Sequence, residues 1–221
     1  GNGRHGTYAG NATPGGTGAL LNDYDAAVYL NGDADRIELP REVVDGADDL
    51  TVVMWVKTAK TGSQALVSGA QAGNSRELLV YLESDRRLNF YTGENSDTYQ
   101  SWNIDSIADN QWHLIAVTRD SGADRVELFI DGVSKGARDT ALNPLGIDAG
   151  GLVAGQYQTA VGVYQTARAF DGALDELAVY TSVLPAGRIE ALYERGDAGP
   201  VFTGGPQAFS IRHNTIAGTL V

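Results

Sequence analysis

Cysteine is missing altogether from this chain of 221 residues. That removes a disulfide framework, a thiol nucleophile and a thiolate metal site together. Histidine is scarce: His5, His113 and His213 lie far apart, and no H-x-x-x-H phrase occurs, so the common zinc-hydrolase signature is absent. His113, beside Trp112 in a strand-like run, reads as a structural histidine. No apolar run approaches the ~20 residues of a membrane span. Positive charge is also in short supply: 16 Lys and Arg face 28 Asp and Glu, a formal net charge of −12. Such a field repels nucleic acid and anionic membrane surfaces, so neither is expected as a partner. The acids are spread along the chain. Oxygen-rich acidic loops suit calcium, and equally keep a secreted protein soluble; composition leaves both open.

What is present points to strands. The apolar fraction of 43% supports a sizeable core, and 28 glycines among many Val, Thr and Tyr residues favour an all-β fold with tight turns. Period-two alternation marks Glu77–Glu83 and Arg87–Thr92, joined at 84–86, and Trp112–Arg119 and Arg125–Ile130, joined at 120–124. Asp131-Gly132 predicts a tight turn into Val133–Gly136. Leu50–Lys57 is apolar on both faces and is placed centrally. Shorter strands are expected at His5–Ala9 within a glycine-rich opening, on both sides of the Asn31–Asp35 turn cluster, and at 65–69, 98–103 and 151–155. Residues 156–168 read as a polar loop. Roughly a dozen short strands without helix–strand alternation predict a two-sheet antiparallel β-sandwich of jelly-roll type.

The most informative stretch is Ala169–Gly196. Ala173–Tyr180 alternates without interruption, with Ala173, Asp175, Leu177 and Val179 on one face. Pro185 then opens a short helix carrying Ile189, Leu192 and Tyr193, and Gly196 ends it. The phrase F-D-G-x-L-D-E-L-x-V-Y…L-P-x-x-x-I-x-x-L-Y-x-x-G resembles the closing segment of the laminin-G-like, concanavalin A-like lectin family. LNGDADRIELP, LTVVMWVKT and WHLIAVTRD…VELFIDGVSKG match the same family in order, so the resemblance covers about residues 1–196. One departure is Arg188, which stands where the family's helix start has an acidic capping residue. The expected organisation is a lectin-like domain at 1–199 and a linker or tail at 200–221. In that tail, S-I-x-x-N-x-x-A-G-T-x-V resembles the opening of cadherin-like repeats in large bacterial RTX-type surface adhesins. Strands are expected at Ala208–Arg212 and Gly218–Val221.

The resemblance implies calcium as cofactor, held between the early turn and the closing strand. Asp33 and Asp175 are the matching positions, with Asn31, Asp35 and Asp171 as further oxygen donors. These aspartates also read as Asx-turn formers or solvated carboxylates. Sugars offer C–H patches and vicinal hydroxyls, which aromatic faces and planar polar side chains recognise. Two loops have that chemistry: Gly93–Trp102, with Asn95, Asp97, Tyr99 and Trp102, and Gln156–Gln165, with Gln156, Tyr157, Gln158 and Tyr164. Asn74 could join them at a rim. Each aromatic also reads singly as a core or edge residue. The paired-glutamate signature of laminarinase-like hydrolases, which share the sandwich, is absent. Glu77 and Glu83 would lie roughly 20 Å apart and Glu127 and Asp131 roughly 13 Å apart at ~3.3 Å per residue, against the ~5–9.5 Å that glycosidases use.

The chain is therefore expected to be a non-catalytic, calcium-dependent carbohydrate-binding module, extracellular, monomeric within a larger chain, and serving adhesion to host or algal glycans, fucosylated ones among them. A peptide-binding adhesion domain is the alternative reading. A polysaccharide-degrading enzyme and a ligandless spacer rank behind it.

Overall fold

The computed structural model describes residues 5–20, 26–92, 99–194 and 196, and for 74–76 and 208–210 the backbone alone. Strands come in quick succession: β1 (Thr7–Ala9), β2 (Thr13–Thr17), β3 (Ala26–Asn31), β4 (Arg36–Glu38), β5 (Leu50–Lys57), β6 (Gln64–Gln71), β7 (Asn74–Ser84), β8 (Arg87–Thr92) and β9 (Tyr99–Asn103). The second half adds β10 (Trp112–Asp120), β11 (Arg125–Ile130), β12 (Val133–Asp139), β13 (Leu152–Ala154), β14 (Gln158–Ala160), β15 (Val163–Tyr164), β16 (Asp171–Tyr180), helix α1 (Ala186–Glu194) and β17 (Ala208–Ser210). They assemble into a seven-stranded sheet, β1-β4-β13-β6-β7-β8-β9, and an eight-stranded sheet, β12-β11-β10-β5-β16-β3-β2 with β17 added beside β16. Every pairing is antiparallel. This is the jelly-roll sandwich expected.

Turn chemistry sets the registers. Asp131 and Gly132 both take positive φ, 52° and 75°, and close a two-residue hairpin between β11 and β12. β5 lies between β10 and β16 at the centre of its sheet, as its doubly apolar pattern requires. Val52, Met54 and Val56 enter the core between the sheets, while Val53 and Trp55 face a second apolar cluster outside. The inter-sheet core includes Leu30, Leu66, Val80, Phe90, Leu128 and Phe170.

Arg119 staples one end of the sandwich across the two sheets. Fully buried on β10, it donates Nε to Thr92 Oγ1 on β8 at 2.7 Å and its guanidinium to the carbonyls of Asp48 and Asn143. Burial pushes its pKa down, opposed by the carboxylates of Asp48, Asp49 and Glu77.

Three differences from the sequence reading have local causes. The alternation of β16 is broken by a bulge between Asp175 and Ala178, with Glu176 at φ 47°. Leu174, Leu177 and Val179 consequently share the inner core, whereas Ala178 and Tyr180 join the outer cluster. The glycine-rich opening carries a second strand, β2, which tolerates Pro14 because it is the last strand of its sheet and is bulged at Pro14–Gly16. The expected loop 156–168 contains the β14–β15 hairpin and a 3-10 turn, Thr166–Arg168. The strand expected at Ala208–Arg212 is present as β17, which pairs with Ala178–Tyr180 of β16 beyond the stretch paired to β3. The strand expected at Gly218–Val221 lies outside the described residues.

Candidate functional site

The Asn31–Asp35 turn is built by its own side chains. Asn31 Oδ1 accepts the Asp33 N–H at 3.0 Å, an Asx turn. Asp35, nearly buried, accepts the N–H groups of Asn11 at 2.6 Å and Asn31 at 3.1 Å with its two oxygens. Gly32 has φ 74° and a Cβ there would sit 2.9 Å from Asp171 Cβ, so only glycine lets the turn approach β16. Gly32 N–H also donates to the Phe170 carbonyl, and Asp171 lies in register with Asn31. Four of the five expected oxygen donors (Asn31, Asp33, Asp35 and Asp171) thus meet at one place.

Asp175 does not join them. It lies four residues further along β16, roughly 13 Å at ~3.3 Å per residue, and its carboxylate accepts the Ala19 N–H at 2.7 Å and the Glu176 N–H at 3.0 Å. The implied pairing of Asp33 with Asp175 is therefore divided between two parts of the strand, because the bulge and the 19–20 segment occupy Asp175. Within the turn, Gln156 points its amide N–H2, rather than its carbonyl, at the carbonyls of Asp33 and Asp35. Among the described residues no group of three His, Asp or Glu side chains is arranged to hold a metal. The turn's open carboxylates are those of Asp33 and Asp171, neither of which accepts a backbone N–H from a described residue. Asp171 meets the Tyr29 hydroxyl at 3.4 Å and raises the Tyr29 pKa through its negative charge.

The expected sugar-contacting residues separate by depth. Trp102 is in the inter-sheet core, 1% exposed, and donates Nε1–H to the Gly136 carbonyl at 2.7 Å. Its ring is closed to any ligand, because β9 alternates and Trp102 falls on the inner face opposite Leu88. Gln156 and Gln158 are fully buried. Gln158 holds the β14–β15 hairpin to its base, donating to the carbonyls of Ser68 and Gly151 and accepting the Gly162 N–H. Both glutamines satisfy backbone groups that a hairpin laid over a sheet would otherwise strand. Asn95 and Asp97 lie outside the described residues, as does the side chain of Asn74.

The remaining aromatics gather on the outer face of the seven-stranded sheet. Tyr81, Tyr91 and Tyr157 form a cluster with Ala65 and Leu79. Tyr99, 47% exposed, stacks on Tyr91 with centroids 4.9 Å apart and planes at 24°. Tyr81 meets Tyr157 edge to face at 5.4 Å. Asn89, opposite Tyr81 and Ser101 in the ladder, donates to Glu83 Oε2 at 3.1 Å. Two arginines that sequence reasoning passed over cover rings here: Arg36 lies 4.8 Å above Tyr164 and Arg168 4.8 Å from Tyr157. Nothing local in A-R-A-F marks Arg168; only the fold of the loop brings it over a tyrosine of β7.

The carboxylates considered for catalysis have structural partners. Buried Glu77 accepts the Gly146 N–H at 3.0 Å, and Glu83 holds Asn89. Asp131 accepts the Leu114 N–H and faces His113 Nδ1 at 2.8 Å, while Asp109 faces His113 Nε2 at 3.2 Å. With an acceptor on each ring nitrogen the imidazolium is favoured, and the Asp131 hydrogen bond raises the His113 pKa. His113 is a clamp between the 109–112 turn and the β11–β12 hairpin.

Comparison with known proteins agrees with this architecture. The family model described as the concanavalin A-like lectin/glucanases superfamily matches residues 31–190. No curated protein matches the chain in sequence. Among solved structures, a heptameric SAP-like pentraxin from Limulus polyphemus is similar at TM-score 0.57 and 17% identity, over 91% of this chain and 93% of that one. Domain 4 of a GH43 extracellular arabinanase from Geobacillus stearothermophilus, in complex with arabinotriose, is similar at TM-score 0.58 and 24% identity, over 85% and 87%. Botulinum neurotoxin type C, whose cell entry depends on interaction with two ganglioside molecules, is similar at TM-score 0.61 and 12% identity, over 88% of this chain and 47% of that one. At these identities the likeness is one of fold.

Proposed function

Because the chain belongs to the concanavalin A-like lectin and glucanase superfamily, we propose that it is a non-catalytic carbohydrate-binding module working outside the cell, where it attaches its bearer to surface glycans. The observation that carries the reading is the aromatic outer face of the seven-stranded sheet, on which Tyr99 offers a half-exposed ring held flat by Tyr91. A ring fixed in this way meets the C–H face of a sugar without first losing rotamer freedom. The arabinotriose complex and the ganglioside dependence recorded for two proteins of this fold support the class of ligand. A non-catalytic role is supported by the engagement of Glu77, Glu83 and Asp131 with structural partners.

Calcium enters at the Asn31–Asp35 turn. Asp33 and Asp171 would be its carboxylate ligands, with Asn31 and Asp35 shaping the turn beneath. A cation there would supply charge that ties the start of β16 to the β3–β4 turn. The test is a glycan array run with calcium and with chelator, alongside melting curves. Glycan capture that Tyr99→Ala abolishes supports the reading; an array blank in the presence of calcium overturns it. A melting temperature unmoved by chelator removes the calcium part alone.

A further inference from the structure

A carbohydrate face calls for open rings, yet Tyr81 and Tyr157 are each 5% exposed. What lies over them is Arg168, its guanidinium carbon 4.8 Å from the Tyr157 centroid and 5.8 Å from that of Tyr81. The rings meet edge to face, so together they form a seat on which the guanidinium rests. At this spot the protein presents a cation on an aromatic bed.

Among the described arginines, Arg168 and Arg188 alone lack both an ion pair and a side-chain hydrogen bond, and only Arg168 lies over two rings. Arg36, Arg41, Arg86, Arg87 and Arg125 each have a carboxylate oxygen within 4 Å. Arg119 and Arg138 donate to backbone carbonyls. Arg168 makes no ion pair and no side-chain hydrogen bond with any described residue. It is half-buried, and its side chain is held by the rings. A guanidinium has five N–H donors in one plane and no acceptor. Contact with the two rings restricts the guanidinium and leaves N–H groups to meet a ligand, a fork that matches the paired oxygens of a carboxylate or sulfate. The net charge of −12 opposes an anion at long range, but screening confines that field to ~8 Å at physiological ionic strength. The local group decides at contact.

We propose that Arg168 is an anion-recognising residue of the glycan face, and that the ligand class is an acidic oligosaccharide bearing a carboxylate or a sulfate ester. The assignment rests on the carbohydrate-binding reading and sharpens it. The test uses the full chain against three probes by calorimetry: an oligogalacturonate, its neutral methyl ester, and a sulfated galactan oligosaccharide. One or both anionic probes should bind on the order of tenfold or more tighter than the ester, as a charge-assisted bidentate contact warrants, and added salt should erode that preference. Which probe leads distinguishes carboxylate from sulfate as the source. Arg168→Gln should abolish the preference with the melting temperature unchanged, and Arg168→Lys should keep part of it. Equal affinity for all three probes, or a preference that survives Arg168→Gln, overturns the assignment and leaves the lectin reading standing. If neither these probes nor any glycan on the array binds, the lectin reading itself falls.

Discussion

The two outer faces of the sandwich are both aromatic and both covered by chain that comes late in the sequence, yet they are covered differently. On the eight-stranded sheet the cover is α1. Ile189 is fully buried among Val53, Leu114, Phe129 and Ala178, and Tyr193 stacks on Trp55 at 5.8 Å. On the seven-stranded sheet the cover is a polar hairpin with the 3-10 turn after it. It is held by the hydrogen bonds of Gln158 and finished by Arg168 rather than by an aliphatic side chain. An apolar lid adds stability in proportion to the area it removes from water. A lid made of satisfied polar groups and a stacked cation adds less and leaves donors for a ligand. The first face belongs to the fold, and the second is the face the proposed function uses.

The largest effect should come from breaking the helix side. Trp55→Ala would remove the ring that α1 packs on and cost about 3–5 kcal/mol in chemical denaturation, with Ile189→Ala close behind at about 2–5 kcal/mol. Neither should alter the ratio of glycan affinities; a changed ratio would mean that the faces are coupled. Next comes His113, whose raised pKa gives the sign of a pH effect. Its contribution is complete below the unfolded histidine pKa of ~6.5 and is lost as pH rises through the folded value. Wild type should therefore lose more stability than His113→Gln between about pH 6 and pH 9, as melting curves would show; parallel curves would count against the clamp. On the hairpin side, Tyr99→Ala should change stability by less than about 1 kcal/mol, its ring being half exposed, while removing glycan capture. The smallest stability change is expected for Arg168→Gln, within about 0.5 kcal/mol, and its effect should appear in the choice of ligand.

The contrast also explains what could be read from sequence. The sandwich was legible because Leu50–Lys57, Glu77–Glu83 and Trp112–Arg119 alternate or are apolar throughout, and Asp131-Gly132 dictates its own turn. The clustering of Asn31, Asp33, Asp35 and Asp171 was legible too, since turn residues and the start of the closing strand carry a recognisable phrase. Depth was not. Trp102 and Tyr99 sit three apart in the same short stretch, and one is sealed in the core while the other is half exposed. Only the parity of β9 against β8 separates them. Gln156 and Gln158 look like ligand-facing polars but serve backbone groups that become buried when the hairpin folds onto the sheet. Arg168 has no motif, because its partners are tyrosines 11 and 87 positions away in the chain.

The bulge at Glu176 has a meaning for how the chain tolerates change. It divides β16 into two stretches of opposite phase, one presenting Asp171 beside the β3–β4 turn and the other presenting Ala178 and Tyr180 beneath α1. Side chains alternate with a period of two, so a single extra residue acts as a parity bit. Deleting Glu176 would set Leu177 directly opposite Met54 and leave Leu177 and Val179 in the core and Ala178 and Tyr180 beneath the helix, joining the two stretches into one regular strand. A residue removed at this one position is absorbed by the bulge, whereas a residue removed from either regular stretch would turn part of the strand inside out.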